Sequence, residues 1–300
     1  MGGHAALVTI GIPTFNRARL LARAIDSALA QSHKAIEVVI CDNASTDDTD
    51  EVCRAYVEKD ARVKYYRNPK NIGGTSNFAE VLRHASGDCF MWLGDDDRID
   101  MNYVEECVQH LESEPELALV GGEPIYEKSG AIVGKGQIVD LDAKAPWARV
   151  VSYYARVSDN GLFYGVMRTR DIRRVRIANV LGGDWCVIAG VAFLGRVRMI
   201  PDVLIHREMG GATASFNSIC ASLGISRVHA LLPSLSIGLN AFWDVAAANP
   251  VYGARSMCER VAMAGVVFLT IIMRAAWRNV RAVPRMVRRT VVGRGRERKA

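Results

Sequence analysis

Residues 7–17 read LVTIGIPTFNR, and this stretch sets the pattern by which the fold is recognised. Residues 7–12 are mostly β-branched or apolar and are followed by Pro13, which is typical of a buried strand that ends in a turn. Apolar residues then recur at helical spacing across residues 17–31. The chain is therefore predicted to open with a strand followed by a helix.

The same alternation continues along the chain. Strands are predicted at residues 36–41, 63–67 and 89–93, with helices between them at 48–60 and 76–85. Alternating strands and helices indicate a parallel sheet with right-handed crossovers, and hence an α/β fold. Beyond residue 100 the sequence predicts further elements: a helix at 103–113, a strand at 117–121, an irregular or hairpin-like region at 122–160, a helix at 184–195 and a strand at 199–205.

Polar clusters follow three of the predicted strands. They read TFNR at 14–17, DN at 42–43 and DDD at 95–97. The carboxyl ends of parallel strands lie at one edge of a sheet, so these clusters should converge on one crevice. Three adjacent carboxylates repel one another unless a positive charge lies among them, which indicates a divalent cation; the alternative is a solvated turn.

Taken together, the motifs resemble one large family. Residues 9–17 (TIGIPTFNR), 37–49 (EVVICDNASTDDT), 71–74 (NIGG), 85–88 (ASGD) and 93–97 (LGDDD) match in order and spacing the family-2 inverting GT-A glycosyltransferases, of the type that builds bacterial cell-surface glycans and glycolipids. The resemblance spans about residues 7–215. It implies a Rossmann-like GT-A nucleotide-sugar-binding domain with a mostly parallel central sheet over residues 1–215.

By this resemblance several residues would bind the donor, a UDP-, dTDP- or GDP-sugar. Pro13, Thr14 and Phe15 would line the nucleoside pocket, and Asp42 would hydrogen-bond the base. Others would contact the remainder of the donor: Arg17, Asn71, Asn77, Asp95, Asp96 and Arg207. Local structure offers alternatives, since Asp42 suits a helix N-cap, Arg17 a surface charge at a helix start, and an asparagine beside glycine a turn.

The resemblance also implies a metal site and a catalytic base. Asp95 and Asp97 would bind Mn²⁺ or Mg²⁺, with His206 as a third ligand. Met209 stands where the family often has a histidine, and its thioether is a poor ligand for a hard cation, so Glu208 or water is the alternative to His206. Asp184 would take the proton from the acceptor hydroxyl, although an Asp after glycines could instead cap a helix.

The basic residues are concentrated at the end of the chain. Residues 274–300 carry ten Arg or Lys against one Glu, a local charge of +9, whereas residues 1–273 carry −3. Residues 216–300 are predicted to form a helical extension whose basic, amphipathic tail includes Arg274, Arg278, Arg281, Arg285 and Arg288. Such a tail favours peripheral attachment to an anionic membrane; the alternative is that it stays solvated.

The remaining predictions concern location and partners. The seven cysteines lack metal-ligand spacing, and no secretory leader is recognised, which favours a cytoplasmic protein at the inner face of the membrane. The apolar run at 261–273 is short for a membrane span. The acceptor is expected to be a saccharide or a lipid-linked acceptor, and nucleic acid is not expected as a partner. A homodimer is a further possibility that the sequence leaves open. The rival functions are a non-catalytic nucleotide-sugar-binding or scaffold protein and a nucleotidyltransferase.

Overall fold

The computed structural model describes residues 5–128, 130–209 and 215–296, with side chains described up to residue 277. The first half alternates strands and helices as predicted. Its elements are β1 (Val8–Thr14), α1 (Ala18–Leu29), β2 (Ile36–Asp42), α2 (Thr49–Lys59), β3 (Val63–Arg67), α3 (Gly74–His84), β4 (Cys89–Trp92), β5 (Arg98–Ile99) and α4 (Tyr103–Ser113).

The second half adds longer strands and the C-terminal helices. Its elements are β6 (Leu117–Lys128), β7 (Ala131–Lys135), α5 (Pro146–Arg156), β8 (Val166–Arg168), α6 (Thr169–Ile172), α7 (Gly183–Leu194), β9 (Arg196–Glu208), α8 (Phe216–Leu223), α9 (Val228–Leu231), α10 (Pro233–Trp243) and α11 (Met257–Arg296). Helix α5 was missed by the sequence analysis, although β6 and β7 do form the hairpin expected after residue 122.

The sheet is parallel in its first half and mixed in its second. The strand order is β3-β2-β1-β4-β8-β6-β9-β5, with β7 beside β6. Strands β3, β2, β1 and β4 are parallel, whereas β8 is antiparallel to both of its neighbours and β5 is antiparallel to β9. The prediction of a mostly parallel sheet therefore holds for the part built by strand–helix crossovers.

Strand β1 continues two residues beyond its predicted end at residue 12. Pro13 and Thr14 still pair with β2, opposite Cys41 and Asp42. On the other side β1 pairs with β4 only as far as Gly11. A proline lacks an N–H group and is tolerated where one neighbouring strand has ended. This extension carries Thr14 to the edge where the polar loops gather.

Apolar side chains fill both faces of the sheet. One cluster lies between the sheet and α1, α2 and α4, and the other lies beneath α3, α5 and α7. The C-terminal helices join this second cluster through Ile237, Ala241 and Ala264. Residues 216–296 are thus largely helical, as expected, and their described side chains, up to residue 277, pack on the sheet-bearing part of the chain. That they form a separate extension beginning at residue 216 stays a prediction, and residues 210–214 lie outside the described part.

Helix α11 is apolar over its first five turns. Met257–Trp277, 21 residues with a mean hydropathy of 1.6, is the one helical segment in the described residues whose length and composition would suffice to cross a membrane. Its inner side packs on the rest of the protein through Ala264, Val267 and Ile271. The backbone stays helical through Pro284 to Arg296. The side chains of Arg278, Arg281, Arg285 and Arg288 lie outside the described residues.

Candidate functional site

The three polar clusters meet at the carboxyl edge of the parallel strands, as the sequence predicts. The Thr14 hydroxyl donates to Oδ2 of Asp95 over 2.8 Å, which joins the ends of β1 and β4. The Asn43 N–H donates to the Thr14 carbonyl over 2.9 Å, which joins β1 to the loop after β2. Arg17 Nη2 lies 4.0 Å from a carboxylate oxygen of Asp96. The loops that follow β1, β2 and β4 therefore enclose one crevice.

The two loops beside this crevice hold strained backbone. Asn16 (φ 54°) and Ala44 (φ 64°) adopt left-handed conformations that non-glycine residues rarely occupy. The Asn16 N–H donates to the Ser45 hydroxyl, and the Asn16 side-chain oxygen accepts the Thr46 N–H, each over 2.8 Å. These bonds hold both loops in place and leave Phe15 with 42% of its surface exposed at the edge of the crevice. An exposed aromatic ring on a fixed loop is suited to stacking on a planar group.

Two carboxylates of the acidic triplet, Asp95 and Asp97, lie where the surrounding protein disfavours their charged forms. Burial, with repulsion from Asp96, raises the pKa of Asp95 to about 7 despite the Thr14 hydrogen bond. Burial likewise raises the pKa of Asp97 to about 6, although Arg207 opposes the rise. Carboxylates in such surroundings gain most from a nearby cation, and oxygen is the donor that Mn²⁺ and Mg²⁺ accept. The solvated-turn interpretation does not fit Asp97, which is 3% exposed.

Arg207 is the cation that faces this triplet from β9. Its Nε lies 3.5 Å from Oδ2 of Asp97, and its Nη2 donates to the Tyr164 hydroxyl over 3.0 Å. The guanidinium lies 4.3 Å from the centre of the Tyr164 ring and 5.8 Å from that of Tyr126. Burial tends to lower the pKa of Arg207, but its tyrosine and Asp97 partners raise it above the usual value. Arg207 is a fixed positive charge beside the acidic loop.

His206 does not face the acidic triplet, which corrects its prediction as a metal ligand. Its Nδ1 lies 2.8 Å from Glu127 and its Nε2 lies 2.9 Å from Asp100, so both ring nitrogens are occupied. Side chains alternate along a strand, and Arg207 is therefore directed towards Asp97 while its neighbour is not. In the described residues no three His, Cys, Asp or Glu side chains gather into a metal-binding group.

Glu208 and Met209 lie near the expected third-ligand position, and Glu208 as the third ligand stays a prediction. The Glu208 N–H donates to Oδ1 of Asp97 over 3.2 Å, so the backbone of Glu208 supports the carboxylate. Met209 is exposed, and its soft sulfur suits neither Mn²⁺ nor Mg²⁺. Asp95 and Asp97 remain as the carboxylates that fit such an ion. Magnesium-type ions are commonly held by one or two carboxylates, with phosphate oxygens and water completing the shell.

Asp184 lies in a chamber of about 680 Å³ that Arg207 also lines. Helix α7 begins after Gly182, which has a φ of 78°, and Asp184 occupies the first turn without capping the helix. Its Oδ2 instead accepts a hydrogen bond from the Asn160 amide over 2.9 Å. The surrounding protein raises the pKa of Asp184 although its side chain keeps an exposed surface in the chamber, and hydrogen bonds from the Asn160 amide and from the Trp185 and Asp184 N–H groups oppose the rise. The N-cap interpretation is wrong, since Gly182 holds that position.

The predictions that Asp42 and Asn77 contact the nucleotide sugar are corrected, because both residues are buried and make structural hydrogen bonds. Asp42 has no exposed surface; it accepts hydrogen bonds from Ser45, Tyr65 and Arg67. It neither caps α2, which begins after Asp48, nor presents an oxygen to a base. Asn77 is 2% exposed, and its amide donates to the Cys41 carbonyl over 2.8 Å.

Asn71 follows the turn interpretation. Its side-chain oxygen accepts from Asn43 and from the Gly73 N–H, each over 2.9 Å. The Asn43 side-chain oxygen accepts the Ile72 N–H over 2.9 Å, so side-chain amide hydrogen bonds connect the loop after β2 to the loop before α3. The turn contacts account for an asparagine at this position without a ligand. Asn71 is nevertheless exposed, so a contact between Asn71 and the nucleotide sugar stays a prediction.

Comparison with known proteins agrees with the fold and the motifs. The sequence matches the family described as Glycosyl transferase family 2 over residues 9–199, almost two thirds of the chain. The chain belongs to glycosyl transferase family 2. A curated relative, the GalNAc(5)-diNAcBac-PP-undecaprenol beta-1,3-glucosyltransferase of Campylobacter jejuni, is 33% identical over 124 residues, which are 41% of this chain and 40% of that one. The chain spans less than half the length of the first curated relatives it matches.

Solved structures share the fold of this family-2 member. S. aureus TarS in complex with UDP-GlcNAc has a TM-score of 0.61 at 13% identity, covering 88% of this chain and 72% of that one. The mannosyltransferase PcManGT from Pyrobaculum calidifontis, in complex with GDP-Man and Mn²⁺, has a TM-score of 0.57 at 18% identity, covering 94% and 81%. The predicted GT-A fold is confirmed.

Several residues of the chamber were not predicted from the sequence. Tyr126, Asn160 and Tyr164 surround Asp184 and Arg207. Tyr126 and Asn160 lie in the region predicted to be irregular or hairpin-like, and Tyr164 lies just beyond it, where no element was predicted. One signal was available, since residues 146–156 read PWARVVSYYAR, with proline at the first position and apolar residues at helical spacing. The positions of Asn160 and Tyr164 follow from α5 and the short 3₁₀ turn after it, and no local motif marks them.

Proposed function

We propose that this family-2 member is an inverting glycosyltransferase that moves a sugar from a nucleoside-diphosphate sugar to a hydroxyl of a saccharide or lipid-linked acceptor. One observation carries the proposal: Asp184 and Arg207 line the same chamber, and Arg207 also meets Asp97 of the acidic loop. A base and a fixed positive charge thus share one cavity. This is what a displacement needs when it removes a proton at one end and releases an anion at the other.

The proposed reaction assigns a role to each of these positions. Asp184 accepts the proton of the acceptor hydroxyl as its oxygen attacks the anomeric carbon. The bond from that carbon to the diphosphate oxygen breaks on the opposite face, so the configuration inverts. The departing diphosphate gains negative charge, which Arg207 and Arg17 are placed to offset from either side of the acidic loop.

Asp95 and Asp97 would hold a Mn²⁺ or Mg²⁺ ion. Their raised pKa values describe carboxylates that lack a sufficient counter-charge, which supports a cation between them. When bound, the ion would act as a Lewis acid on the diphosphate. Its remaining ligands would be diphosphate oxygens and water, because His206 is occupied elsewhere. The metal-bound GDP-Man complex of the structural neighbour PcManGT is consistent with this assignment.

Calorimetric titration with UDP, dTDP and GDP, each with and without Mn²⁺, tests the donor site. We expect one nucleotide to bind in a metal-dependent manner and Asp97→Ala to lose that binding. Failure of all three to bind a protein shown to be folded would overturn the donor-site proposal.

Turnover separates this proposal from its rivals. With the nucleotide sugar so identified and alkyl glycosides as acceptors, we expect nucleoside diphosphate to be released and Asp184→Asn to abolish release while retaining nucleotide binding. Binding without turnover would favour a non-catalytic nucleotide-sugar-binding or scaffold protein. Release of pyrophosphate from a nucleoside triphosphate would instead indicate a nucleotidyltransferase.

We also propose that the protein lies on an anionic membrane surface through its C-terminal helices. The outer side of α11 exposes apolar side chains over four turns, including Val266, Leu269 and Met273. Ten basic residues fall within residues 274–300. An exposed apolar stripe that leads into a basic segment fits the headgroup region of an anionic bilayer. The undecaprenol-linked substrate in the name of the Campylobacter jejuni relative is consistent with a lipid-linked acceptor.

Two contacts favour lying on the membrane over crossing it. The inner side of α11 is buried against the protein, and Arg274 donates to the Tyr154 carbonyl of α5 over 3.1 Å. A spanning helix would have to give up these contacts. The Arg274 contact also corrects the prediction that its side chain belongs to the basic stripe that faces the membrane.

Vesicle co-sedimentation tests the attachment. We expect binding to vesicles that contain phosphatidylglycerol, weak binding to phosphatidylcholine alone, and loss of binding in Leu269→Glu/Met273→Glu. Glu58→Gln, on the exposed side of α2, is the control. Unchanged vesicle binding by the double variant would overturn the role of this face, and a dimer-to-monomer change on light scattering would assign it to a second copy of the chain.

A further inference from the structure

Asn160 is the side chain that holds the carboxylate of Asp184. It lies just before the 3₁₀ turn Gly161–Tyr164 and is 8% exposed. Its Nδ2 donates to Oδ2 of Asp184 over 2.9 Å. Asp184 belongs to α7, 24 residues further along the chain, so this bond ties the loop after α5 to the start of α7. Oδ1 of Asp184 is the oxygen not engaged by Asn160.

The orientation of the Asn160 amide is fixed from its other side. The Tyr153 hydroxyl donates to Oδ1 of Asn160 over 2.8 Å. Tyr153 is fully buried, and burial raises its pKa well above the usual value, so its hydroxyl stays protonated. An ionised carboxylate can only accept hydrogen bonds. The amide must therefore present its NH₂ group to Asp184 and its oxygen to Tyr153.

We propose that Asn160, set by Tyr153, is a positioning residue for Asp184. It immobilises one carboxylate oxygen and leaves the other to face the acceptor, and it stabilises the ionised form that can accept a proton. This inference rests on the proposed function, in which Asp184 is the base. Neither residue is part of the motifs by which the family is recognised.

The energetic need for such a partner follows from where Asp184 lies. The Asp184 side chain keeps an exposed surface in the chamber, but the protein around it still disfavours the charged carboxylate, whereas a base must be ionised before it can act. The charged and titratable groups that share the surroundings of Asp184 are Arg207, Tyr126, Tyr153, Tyr164, Asp159, Glu208 and Cys186. Of these Arg207 favours the anion, but it is already paired with Asp97. The Asn160 amide supplies the side-chain hydrogen bond that favours the anion, beside the N–H groups of Trp185 and Asp184.

The pH profile of turnover tests the inference. In Asn160→Leu, which keeps the volume and removes the donor, we expect the acid limb of kcat to move up by about 1 pH unit, so that kcat well below the midpoint falls about tenfold. Tyr153→Phe should move the limb in the same direction by less. The control is Tyr56→Phe, whose hydroxyl bonds to Asp26 on the opposite side of the sheet. This control should leave the acid limb unmoved.

Titration of the Asp184 carboxyl by ¹³C NMR, in protein labelled at aspartate, gives the same comparison without an acceptor. An unmoved midpoint in both variants would overturn the positioning role while leaving the proposed function intact, provided that Asp184→Asn is inactive. An active Asp184→Asn would instead overturn the base itself. Should Asn160→Leu fail to fold, Tyr153→Phe and its Tyr56→Phe control decide alone.

Discussion

Arg207 Nε lies 3.5 Å from Oδ2 of Asp97, which links the last strand of the sheet to the acidic loop after β4. The residues are 110 positions apart in the chain and meet because β5 pairs with β9 beside that loop. The pair places a guanidinium between an acidic, cation-attracting loop and the chamber of Asp184.

Replacement of Arg207 should weaken nucleotide binding. We expect Arg207→Ala to reduce the affinity for the nucleoside diphosphate about tenfold or more, because a charged hydrogen-bond donor contributes about 1.5 to 3 kcal/mol. Arg207→Lys should recover part of the loss, since it keeps the charge but not the planar donor pair. Calorimetry measures both. Arg83→Ala, on the exposed side of α3, is the control. Equal affinities in wild type, Arg207→Ala and Arg83→Ala would contradict the role of Arg207.

Thr14 should support the acidic loop through its hydroxyl. Thr14→Val keeps the side-chain shape but removes the donor to Asp95, and we expect Mn²⁺-dependent nucleotide binding to weaken about fivefold, the equivalent of about 1 kcal/mol. Thr270→Val, whose hydroxyl bonds to the Val266 carbonyl within α11, is the matched control. Titration of Mn²⁺ in the presence of the bound nucleotide gives the comparison. A variant with wild-type affinity would show that the hydrogen bond is dispensable.

Asn77 should matter for stability. Its buried amide bonds to the Cys41 carbonyl and to Asn68, so Asn77→Ala leaves buried polar groups unpaired and should lower the free energy of unfolding by about 1 to 3 kcal/mol. Ser76→Ala, at the exposed neighbouring position, should change it by less than about 0.5 kcal/mol. Urea unfolding measures both. Similar values for the two variants would argue against a structural role for Asn77.

Glu37 should make the stability depend on pH. Burial would raise its pKa, but hydrogen bonds from Lys64, Ser86 and Thr9 outweigh burial and lower the pKa to about 2, from 4.5. A depressed carboxyl pKa adds stability above the unfolded value, and this stability is lost as the pH falls from about 4.5 towards 2. We expect Glu37→Gln to be less stable by about 3 kcal/mol at pH 7, by the linkage of that shift.

The stability difference between wild type and Glu37→Gln should shrink across the same pH range. Thermal or urea unfolding at several pH values measures it, with the exposed Glu58→Gln as control. A difference that stays constant between pH 7 and pH 3 would mean that the network does not depend on the charge of Glu37.

Local patterns were sufficient for the first half of the fold. Strand β3 and helix α4 have the predicted bounds, and β1, β2 and β4 differ from prediction by one or two residues at their ends. Each alternates with a helix whose apolar face is visible in sequence, and the strand ends place Thr14 and the acidic triplet at one edge. The convergence of these polar clusters could therefore be predicted.

The second half depended on tertiary contacts. Strand β8 is antiparallel to both neighbours, and no sequence pattern specifies that pairing. Packing also decides whether a polar side chain faces a ligand or the interior. The sequence motif therefore predicts Asp42 and Asn77 as contacts to the nucleotide sugar, although both side chains are buried. The orientation of His206 away from the acidic loop follows from its register opposite Arg98.

The sequence by itself determined the family, the parallel half of the sheet and the loops that carry Asp95, Asp97 and Asp184, because these depend on short-range periodicity and on motif order. Only the tertiary structure decided which side chains contact Asp97 and Asp184. Arg207 reaches Asp97 and Asn160 reaches Asp184 across 110 and 24 residues of chain. Such pairs are set by strand register and helix packing, and a buried charge is stable only where that packing brings it a partner.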